Sequence, residues 1–353
     1  MLKPSSPDHL QRVHDYQHNS LPTLGPESVG IVPTNACNLN CITCWSYSPL
    51  LDVRPNTQWK RNQLPWETMQ TLLKELAQLK TKRIILTGGG DPLVYPHFDD
   101  TVKLAKELSL KVTLISNLTL IRDLDAFVKL GIDTIQANFS AADAESYVAF
   151  HPNRKLSDYQ FFIEKIKAIA QHTPDLKLVC VVCQTNVHLL PKLLELAAEL
   201  GTKIQFKLMS IADGTQQVAI TPTQHAALLT QIPELLRIAQ ELGVRHNLPI
   251  LLSELRGENA HSFPIEEVGC YTGFWYARVW ADSSVHFCCN PLQELKVGDL
   301  QENSFTEIWQ SATYQKLREK IHSGNLVHGC DRCGKFDLNY KLQKELQGLS
   351  ASQ

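Results

Sequence analysis

Short apolar runs alternate with longer segments of helical apolar spacing between about residue 27 and residue 250. The short runs predict strands at residues 27–33, 83–86, 111–116, 134–140, 177–182 and 203–209. The longer segments predict helices at residues 66–79, 98–108, 124–130, 159–170, 188–200 and 223–242. Gly131, Gly201 and Gly243 follow three of these helices. They are suited to end them, because glycine adopts the left-handed conformation without strain.

Alternating strands and helices with short connections predict parallel strands joined by right-handed crossovers. About six such units give an α/β fold, a partial (βα)6 TIM-like barrel, in which ligands bind at the carboxyl ends of the strands. After about residue 250 the alternation stops, and a small cysteine-rich α+β domain is expected. The predicted boundaries are an N-terminal extension at 1–26, the barrel at 27–250, the cysteine-rich domain at 251–340 and a C-terminal tail at 341–353.

The composition is that of an ordinary globular chain, with 43% hydrophobic and 20% charged residues. A net charge of −2 gives no electrostatic reason to expect nucleic acid or an anionic membrane as a partner. No apolar run approaches the length of a membrane span, and the N-terminal segment lacks the apolar stretch of a signal peptide. A cytoplasmic location is therefore expected. There, ten cysteines indicate metal or redox chemistry rather than disulfides.

Three of the cysteines lie in one loop directly after the first predicted strand. Cys37, Cys41 and Cys44 have the spacing CxxxCxxC and are followed by Trp45. Three thiolates on a four-iron cluster leave the fourth iron open to a small molecule, unlike a cluster held by four cysteines or a closed zinc site. The alternatives are a zinc loop or three incidental buried thiols, although zinc sites typically pair one CxxC with another.

This loop resembles the cluster motif of the radical S-adenosylmethionine (radical SAM) superfamily. The resemblance implies a 4Fe–4S cluster on Cys37, Cys41 and Cys44, whose open iron chelates the amino and carboxylate groups of S-adenosylmethionine. Reduction would cleave this cofactor to methionine and a 5′-deoxyadenosyl radical, which abstracts a hydrogen atom from the substrate. The predicted barrel would then be the radical SAM core.

The same resemblance implies a binding surface for S-adenosylmethionine along the strand ends. The glycine turn after the second strand is similar to the family's GGEP-type motif, whose backbone binds the ammonium group. Asp91 stands where Glu is commoner, which favours the backbone role over a side-chain role. Polar residues at the ends of the third and fourth strands would contact ribose or carboxylate oxygens. The expected contacts are Gly88, Gly89, Gly90, Asp91, Ser116, Asn117, Asn138 and Ser140.

These residues also have simpler explanations. A glycine run is compatible with a plain turn, and an asparagine at a strand end with an Asx turn. Period-two spacing places Gln136, Asn138 and Ser140 on one face of the predicted fourth strand. A polar row on that face favours a site that lines the barrel cavity over a plain core.

A second set of cysteines lies in the C-terminal part of the chain: Cys270, Cys288, Cys330 and Cys333. Residues 280–288 predict a small hairpin, and Ser304 with Glu307 predicts a capping box at the start of a helix. The arrangement resembles the twitch domain, a shortened SPASM domain of many radical SAM enzymes. It implies one auxiliary 4Fe–4S cluster on these four cysteines. A four-cysteine zinc site is the alternative, and Cys289 is the alternative ligand to Cys288.

Two further cysteines are expected on the fifth or sixth strand. Cys180 and Cys183 are three residues apart, which points them to opposite faces of a strand and makes them a poor chelating pair. Both are expected to be small apolar core residues. The alternative is that one of them, or Cys289, donates a hydrogen atom to a substrate radical.

The expected function is a radical SAM oxidoreductase that modifies a ribosomally synthesised peptide. Dehydrogenation or epimerisation of a sugar, cyclitol or other small natural-product intermediate is the alternative, and a non-catalytic iron–sulfur protein is the remote one. Expected partners are the substrate, a reductant such as flavodoxin or ferredoxin, and a separate peptide-recognition protein. The sequence does not choose a catalytic base among the residues placed to approach a substrate, which are Lys207, Asp213, Tyr271 and His286.

Overall fold

A computed structural model of the chain describes residues 6–173, 175–256, 265–290, 293–330, 333 and 335–350. Its strands are β1 Ser28–Ile31, β2 Arg83–Leu86, β3 Lys111–Ser116, β4 Thr134–Asn138, β5 Leu176–Val182, β6 Lys203–Leu208, β7 Tyr276–Val279, β8 Ser284–His286 and β9 Lys296–Asp299. They form one nine-stranded sheet in the order β6-β5-β4-β3-β2-β1-β7-β8-β9. The predicted barrel strands are all present, with ends within about three residues of those expected.

The helices are α1 Pro7–Gln17, α2 Thr57–Arg61, α3 Trp66–Gln78, α4 Phe98–Glu107, α5 Leu124–Lys129, α6 Ala144–Phe150, α7 Leu156–His172, α8 Leu190–Glu199, α9 Pro222–Glu241, α10 Leu248–Arg256, α11 Ile265–Val268, α12 Thr272–Trp275, α13 Phe305–Trp309, α14 Ala312–His322 and α15 Phe336–Ser350. Short 3-10 helices cover Pro92–Val94, Val187–Leu189, Gln216–Val218 and Gln293–Leu295. In the part of the chain that the structure describes, no helix has the length and apolar character needed to cross a bilayer.

Strands β1 to β6 pair in parallel in chain order, and helices return the chain between them. The predicted α/β fold with a parallel sheet is therefore confirmed. Three crossover helices end as expected, because Gly131, Gly201 and Gly243 have φ values of +66°, +63° and +65°. The carboxyl ends of these strands meet at one edge of the sheet, where both the cysteine loop and the glycine turn begin.

The C-terminal strands continue the barrel sheet. Strand β7 pairs in parallel with the outer edge of β1, with Ser28 opposite Tyr276. Strands β8 and β9 follow in antiparallel order, so the predicted hairpin is present. The capping box of Ser304 and Glu307 is also present at the start of α13. The boundary near residue 250 stays a prediction.

The segment expected to be an N-terminal extension contains helix α1. The buried guanidinium of Arg12 donates to the carbonyl oxygens of Gly25 and Lys80 at 2.9 and 3.0 Å. On the same helix, the ring of Tyr16 lies 4.7 Å from that of Tyr271, next to the first cysteine of the C-terminal set. Helix α1 therefore joins the barrel to the cysteine-rich part. At the other end of the chain, α15 runs through the expected tail boundary at residues 340 and 341.

Candidate iron–sulfur and cofactor site

The loop after β1 carries the half-buried thiols of Cys37, Cys41 and Cys44, which are near enough for their charges to influence one another. Burial raises the pKa of each thiol, to about 12 for Cys37, and neighbouring thiols of the loop add to the rise at Cys37 and Cys41. The N–H groups of Leu39 and Ser46 donate to the Sγ atoms of Cys37 and Cys44, both at 3.4 Å. Thiolates at this place need a cationic centre to balance them, because unpaired buried charge is costly. The donor set therefore fits an iron–sulfur cluster.

Hydrogen bonds fix the backbone of the cysteine loop. The hydroxyl of Tyr47 donates to the carbonyl of Asn35 at 2.7 Å. The N–H of Asn153 donates to Oδ1 of Asn40 at 3.1 Å, and its side-chain amide donates to the carbonyl of Asn38 at 2.9 Å. Asn153 follows helix α6, which the sequence pattern did not predict. The thiols are thus held by protein contacts on both sides of the loop.

The glycine turn after β2 lies directly against the start of this loop. The N–H of Asp91 donates to the carbonyl of Ala36 at 2.9 Å. A Cβ on Gly90 would stand 1.9 Å from that carbonyl oxygen, and one on Gly89 would stand 2.4 Å from Oδ1 of Asn35. Close backbone approach therefore requires glycine here. Binding of an ammonium group by the same backbone stays a prediction.

Asp91 is 4% exposed, and its carboxylate is occupied by protein donors. Both of its oxygens accept from the hydroxyl of Ser116 at 3.0 Å. They also accept from the N–H groups of Asn117 at 2.8 Å and Leu93 at 2.9 Å. Burial raises the pKa of Asp91, and these hydrogen bonds oppose the rise. Asp91 and Ser116 thus join the ends of β2 and β3, which is a positioning role.

Asn117 also joins the strand end to the cysteine loop. Its side-chain amide donates to Oδ1 of Asn38 at 3.1 Å, and its Oδ1 accepts from the N–H of Thr119 at 2.9 Å. The second of these hydrogen bonds is the Asx turn that the sequence offered as the simpler explanation. Asn38, between the first two cysteines, donates in turn to the hydroxyl of Thr119 at 2.7 Å. The loop and β3 therefore share one polar network.

The polar row on β4 is present, but its members differ in environment. Thr134, Gln136 and Asn138 are half-buried on one face of the strand, and Ile135 and Ala137 are buried on the other. This is the period-two arrangement that the sequence predicted.

Ser140, just beyond this strand, is 1% exposed. Its hydroxyl donates to Oδ1 of Asn138 and accepts from the N–H of Val181, both at 3.0 Å. Its carbonyl accepts from the side-chain amide of Asn186 at 2.9 Å. Ser140 is therefore engaged in holding β4 against β5, while Asn138 keeps more exposure.

The C-terminal cysteines surround one enclosed cavity whose other walls are mostly apolar. Apolar walls come from Ile265, Phe287, Leu295, Ile321 and Leu326. Among the described residues, no three His, Cys, Asp or Glu side chains converge tightly enough to hold a single metal ion. A cluster of four irons spaces its thiolates more widely than one ion does. The cavity is lined by Cys270, Cys288, Cys289, Cys330 and Cys333.

Cys288 and Cys289 both line this cavity, so the structure brings together one thiol more than the sequence selected. The N–H of Asn290 donates to Sγ of Cys288 at 3.3 Å. A hydrogen bond with Cys289, together with burial, raises the pKa of Cys288 well above its ordinary value. The same hydrogen bond lowers the pKa of Cys289, and the positive charge of Lys335 lowers it further. The choice of Cys288 over Cys289 as a ligand stays a prediction.

Cys180 and Cys183 lie in the core, as expected of small apolar residues. Both are fully buried, at 0% exposure. Cys180 belongs to the main core cluster, and Cys183 packs with Ile42 and Phe150 beneath the cysteine loop. This burial supports the core explanation over hydrogen donation.

The sequence offered four polar residues that could approach a substrate: Lys207, Asp213, Tyr271 and His286. Of these four, only His286 lines a cavity beside the cysteine loop. Tyr271 packs in an aromatic cluster with Tyr16, and Lys207 is exposed on β6. The carbonyl of Asp213 accepts from the N–H of Asp52, and its carboxylate is not part of the described cavities. Sequence reasoning missed Trp59 and Trp280, which line the same cavity as His286, because aromatic residues far apart in the chain carry no spacing signal.

Fold and cysteine sites together define an iron–sulfur protein built on a partial barrel. The family model "Radical SAM superfamily" matches residues 31–184, and the model "Iron-sulfur cluster-binding domain", SPASM, matches residues 270–334. The chain is a radical SAM superfamily enzyme with a C-terminal SPASM domain. Its cofactors are S-adenosylmethionine, the 4Fe–4S cluster that binds it, and an auxiliary 4Fe–4S cluster.

Curated relatives match most of the chain at low identity. An AdoMet-dependent heme synthase from Methanosarcina barkeri is 22% identical over 84% of this chain and 86% of its own length. A PqqA peptide cyclase from a Methylobacterium species is 25% identical over 88% of this chain and 80% of its own length.

Solved structures share the fold. Streptococcus suis SuiB bound to S-adenosylmethionine has a TM-score of 0.63 at 14% identity, over 88% of this chain and 72% of its own. Native anSMEcpe with bound AdoMet has a TM-score of 0.62 at 18% identity, over 89% of each chain.

Proposed function

We propose that this enzyme modifies a ribosomally synthesised peptide after reductive cleavage of S-adenosylmethionine and abstraction of a hydrogen atom from an unactivated carbon. The main support is the full-length likeness to peptide-modifying relatives. PqqA peptide cyclases from four Methylobacterium and Methylorubrum strains are 24–25% identical over 88% of this chain. A match over 88% of the chain is longer than the predicted barrel, so it extends into the cysteine-rich part.

The residues are assigned as follows. Cys37, Cys41 and Cys44 would hold the cluster that binds S-adenosylmethionine. When both cofactors are bound, the cluster would supply the reducing electron and S-adenosylmethionine would supply the 5′-deoxyadenosyl radical. The auxiliary cluster would be held by Cys270, Cys288, Cys330 and Cys333.

The glycine turn and the strand ends would bind and orient S-adenosylmethionine. Backbone groups of Gly88, Gly89 and Gly90 would take the ammonium group, because the turn is fixed against the cysteine loop. Asn138 would contact ribose or carboxylate oxygens, since its side chain keeps exposure on the polar face of β4. The remaining predicted contacts would act mainly by holding this surface in place, because their side-chain groups are occupied within the protein: Asp91, Ser116, Asn117 and Ser140.

A peptide substrate needs two kinds of partner beyond the cofactors. An electron donor such as flavodoxin or ferredoxin would reduce the first cluster, and a separate protein would recognise the peptide. The electron donor fits the chemistry, since reductive cleavage consumes one electron that the substrate does not provide.

The test uses the full chain with both clusters reconstituted without oxygen. About eight irons per chain are expected, with 5′-deoxyadenosine formed on reduction by dithionite. Candidate precursor peptides are then added, and a mass change of two daltons, an epimer or a crosslink is sought by mass spectrometry. The Cys37→Ala variant is the matched control, because it should lose cofactor cleavage and keep the auxiliary cluster. Cofactor cleavage without any change in peptide would contradict the proposed substrate class.

A second candidate is oxidation or epimerisation of a small molecule. Two relatives support the small-molecule substrate by name, although not the type of reaction: the heme synthase and a GTP 3′,8-cyclase from Chlorobaculum tepidum that is 24% identical over 53% of this chain. Transfer of deuterium from a labelled small-molecule substrate into 5′-deoxyadenosine, with no such transfer from peptides, would favour this candidate.

A further inference from the structure

A cavity of about 240 Å³ lies beside the cysteine loop and contains no cysteine. Asn35 and Trp45 come from that loop, Trp59 from α2, and Trp280 and His286 from the hairpin of β7 and β8. We call it the indole cavity. Its walls are Asn35, Trp45, Trp59, Trp280, Ala281, Asp282, Ser284, His286 and Lys296.

The position of the indole cavity is set by the sheet. Strands β1 and β7 are parallel neighbours, so the cysteine loop and the hairpin turn leave the same edge side by side. Trp45 directly follows Cys44 in sequence, and His286 lies two residues before Cys288. The cavity is therefore built from segments that adjoin a cysteine of each set in the chain.

The aromatic walls are arranged to receive a flat ring. The rings of Trp45 and Trp59 are 5.8 Å apart at 72°, an edge-to-face pair. Trp45 is 50% exposed, which is unusual for the largest apolar side chain and is typical of residues that anchor a partner. The guanidinium of Arg278 covers one face of Trp280, 4.6 Å from the ring centre. The other face and the edge of that indole are therefore the parts that line the cavity.

Polar atoms on the walls lack partners within the described residues. They are Oδ1 of Asn35, Nε1 of Trp280 and Nδ1 of His286. Asn35 is 4% exposed and His286 is 6% exposed, so both are more than nine-tenths buried. A buried polar atom without a partner costs about 1–3 kcal/mol, which a ligand with a suitable donor or acceptor would remove.

The charge and the size of the cavity further restrict the kind of group that it can bind. Asp282 and Lys296 contribute opposite charges to the lining, and the ammonium of Lys296 also lies 3.3 Å from Asp299. The lining therefore carries no net charge that would favour a cationic or an anionic group. The volume is below the roughly 300–1,000 Å³ of pockets that enclose a whole small-molecule ligand. It suits one large side chain of a longer molecule.

We infer that the indole cavity binds a neutral aromatic side chain with a hydrogen-bonding atom, Tyr or Trp, of the substrate peptide. This inference rests on the proposed function and names the residue class that the enzyme would recognise next to its reacting carbon. The three indoles supply edge and face contacts, worth about 0.5–1.5 kcal/mol for each aromatic pair. The unpartnered atoms of Asn35, Trp280 and His286 supply the hydrogen bonds.

The test measures binding without turnover. The reconstituted full chain is titrated with N-acetyl-tyrosine amide, N-acetyl-leucine amide and N-acetyl-lysine amide, observed by saturation-transfer NMR. The tyrosine probe should bind at least fivefold more tightly than the other two. Trp45→Ala should weaken it at least fivefold, and Trp45→Phe should restore part of the loss. Phe161→Ala is the matched control, because it removes a 66% exposed aromatic side chain outside the cavity and should change nothing.

Iron content and thermal unfolding of each variant verify that it is folded. Equal binding of the three probes, or equal losses in Trp45→Ala and Phe161→Ala, would overturn the assignment. If Trp45→Ala lowers iron content, Ala281→Leu replaces it, since the larger side chain would fill the cavity and must abolish the preference for the tyrosine probe. The proposed function fails separately, when no peptide changes mass although the tyrosine probe binds as expected.

Discussion

Asp91 accepts hydrogen bonds from the hydroxyl of Ser116 with both carboxylate oxygens, each at 3.0 Å. This contact joins the glycine turn after β2 to the end of β3. It also accounts for an Asp where the related motif more often has Glu. The shorter side chain places its oxygens within reach of Ser116 and of the N–H of Asn117. Its carboxylate is thereby committed to the scaffold rather than to the cofactor.

Asp91→Asn should destabilise the protein by about 2 kcal/mol, because the amide cannot accept from all the donors that now converge on the carboxylate. We expect weaker binding of S-adenosylmethionine as a consequence, since the glycine turn loses its support. Urea unfolding and equilibrium binding of the cofactor measure the two effects. Asp99→Asn, at an exposed position on α4, is the control and should stay within about 0.5 kcal/mol. Equal stability of the two variants would show that the Ser116 contact contributes little.

Gly90→Ala should displace the cysteine loop, because the new Cβ would stand 1.9 Å from the carbonyl oxygen of Ala36. The expected result is a loss of iron from the first cluster, to about four irons per chain, with the auxiliary cluster retained. Gly348→Ala is the matched change on α15, where a Cβ meets nothing within 4 Å. That variant should keep all its iron. Full iron content in Gly90→Ala would mean that the loop shifts at little cost.

Arg318→Ala should destabilise the C-terminal part by about 3 kcal/mol. The buried guanidinium donates to the carbonyl oxygens of Gly273 and Trp309 at 2.9 and 2.8 Å and lies 4.0 Å from the ring centre of Tyr314. Its removal leaves two buried acceptors and a cavity. The auxiliary cluster should be lost at lower denaturant concentration than the first cluster, as followed by visible absorbance. The Arg237→Ala variant is the control, because this side chain is exposed and its ion pairs are screened by solvent, so stability should not change measurably.

His9 should make stability depend on pH. Its pKa is raised by the carboxylates of Glu27 and Glu345, at 3.9 Å from Nδ1 and 2.8 Å from Nε2, against the opposing effect of burial. A raised pKa in the folded state means that the contribution is complete below about pH 6.5 and is lost as pH rises through the folded value.

His9→Gln should therefore cost about 0.5–1 kcal/mol at pH 6 and less at pH 8.5, measured by urea unfolding at both values. The control is His188→Gln, at an exposed position. It should change the free energy of unfolding by the same amount at both pH values. A pH-independent loss in His9→Gln would contradict a role for its charge.

Much of the barrel could be predicted from local pattern. Strands β1 to β6 carry buried apolar side chains, which alternate with polar ones on β4 and β6, and glycines such as Gly131 mark the ends of helices. These signals act within a few residues, so they need no knowledge of the tertiary structure. The spacing of Cys37, Cys41 and Cys44 is an equally local signal, and it was sufficient to predict the class of enzyme.

Features that depend on distant residues could not be predicted. Helix α1 has few buried residues of its own and is stabilised by Arg12 and Tyr16, whose partners lie far along the chain. The role of Asp91 as a link between strands appeared only with Ser116 beside it. Trp59 and Trp280 meet in one cavity although more than two hundred residues separate them. Pairing of β7 with β1 likewise has no signature in either strand alone.

That last pairing has a consequence for synthesis on the ribosome. Residues Ser28–Ile31 emerge early, while their partner Tyr276–Val279 emerges after most of the chain has been made. Until then the outer edge of β1 exposes unpaired backbone groups, which invites association with other nascent chains. Contacts of such long sequence separation also form slowly. Fragments that end before residue 276 should therefore aggregate, because the outer edge of their β1 never gains its partner.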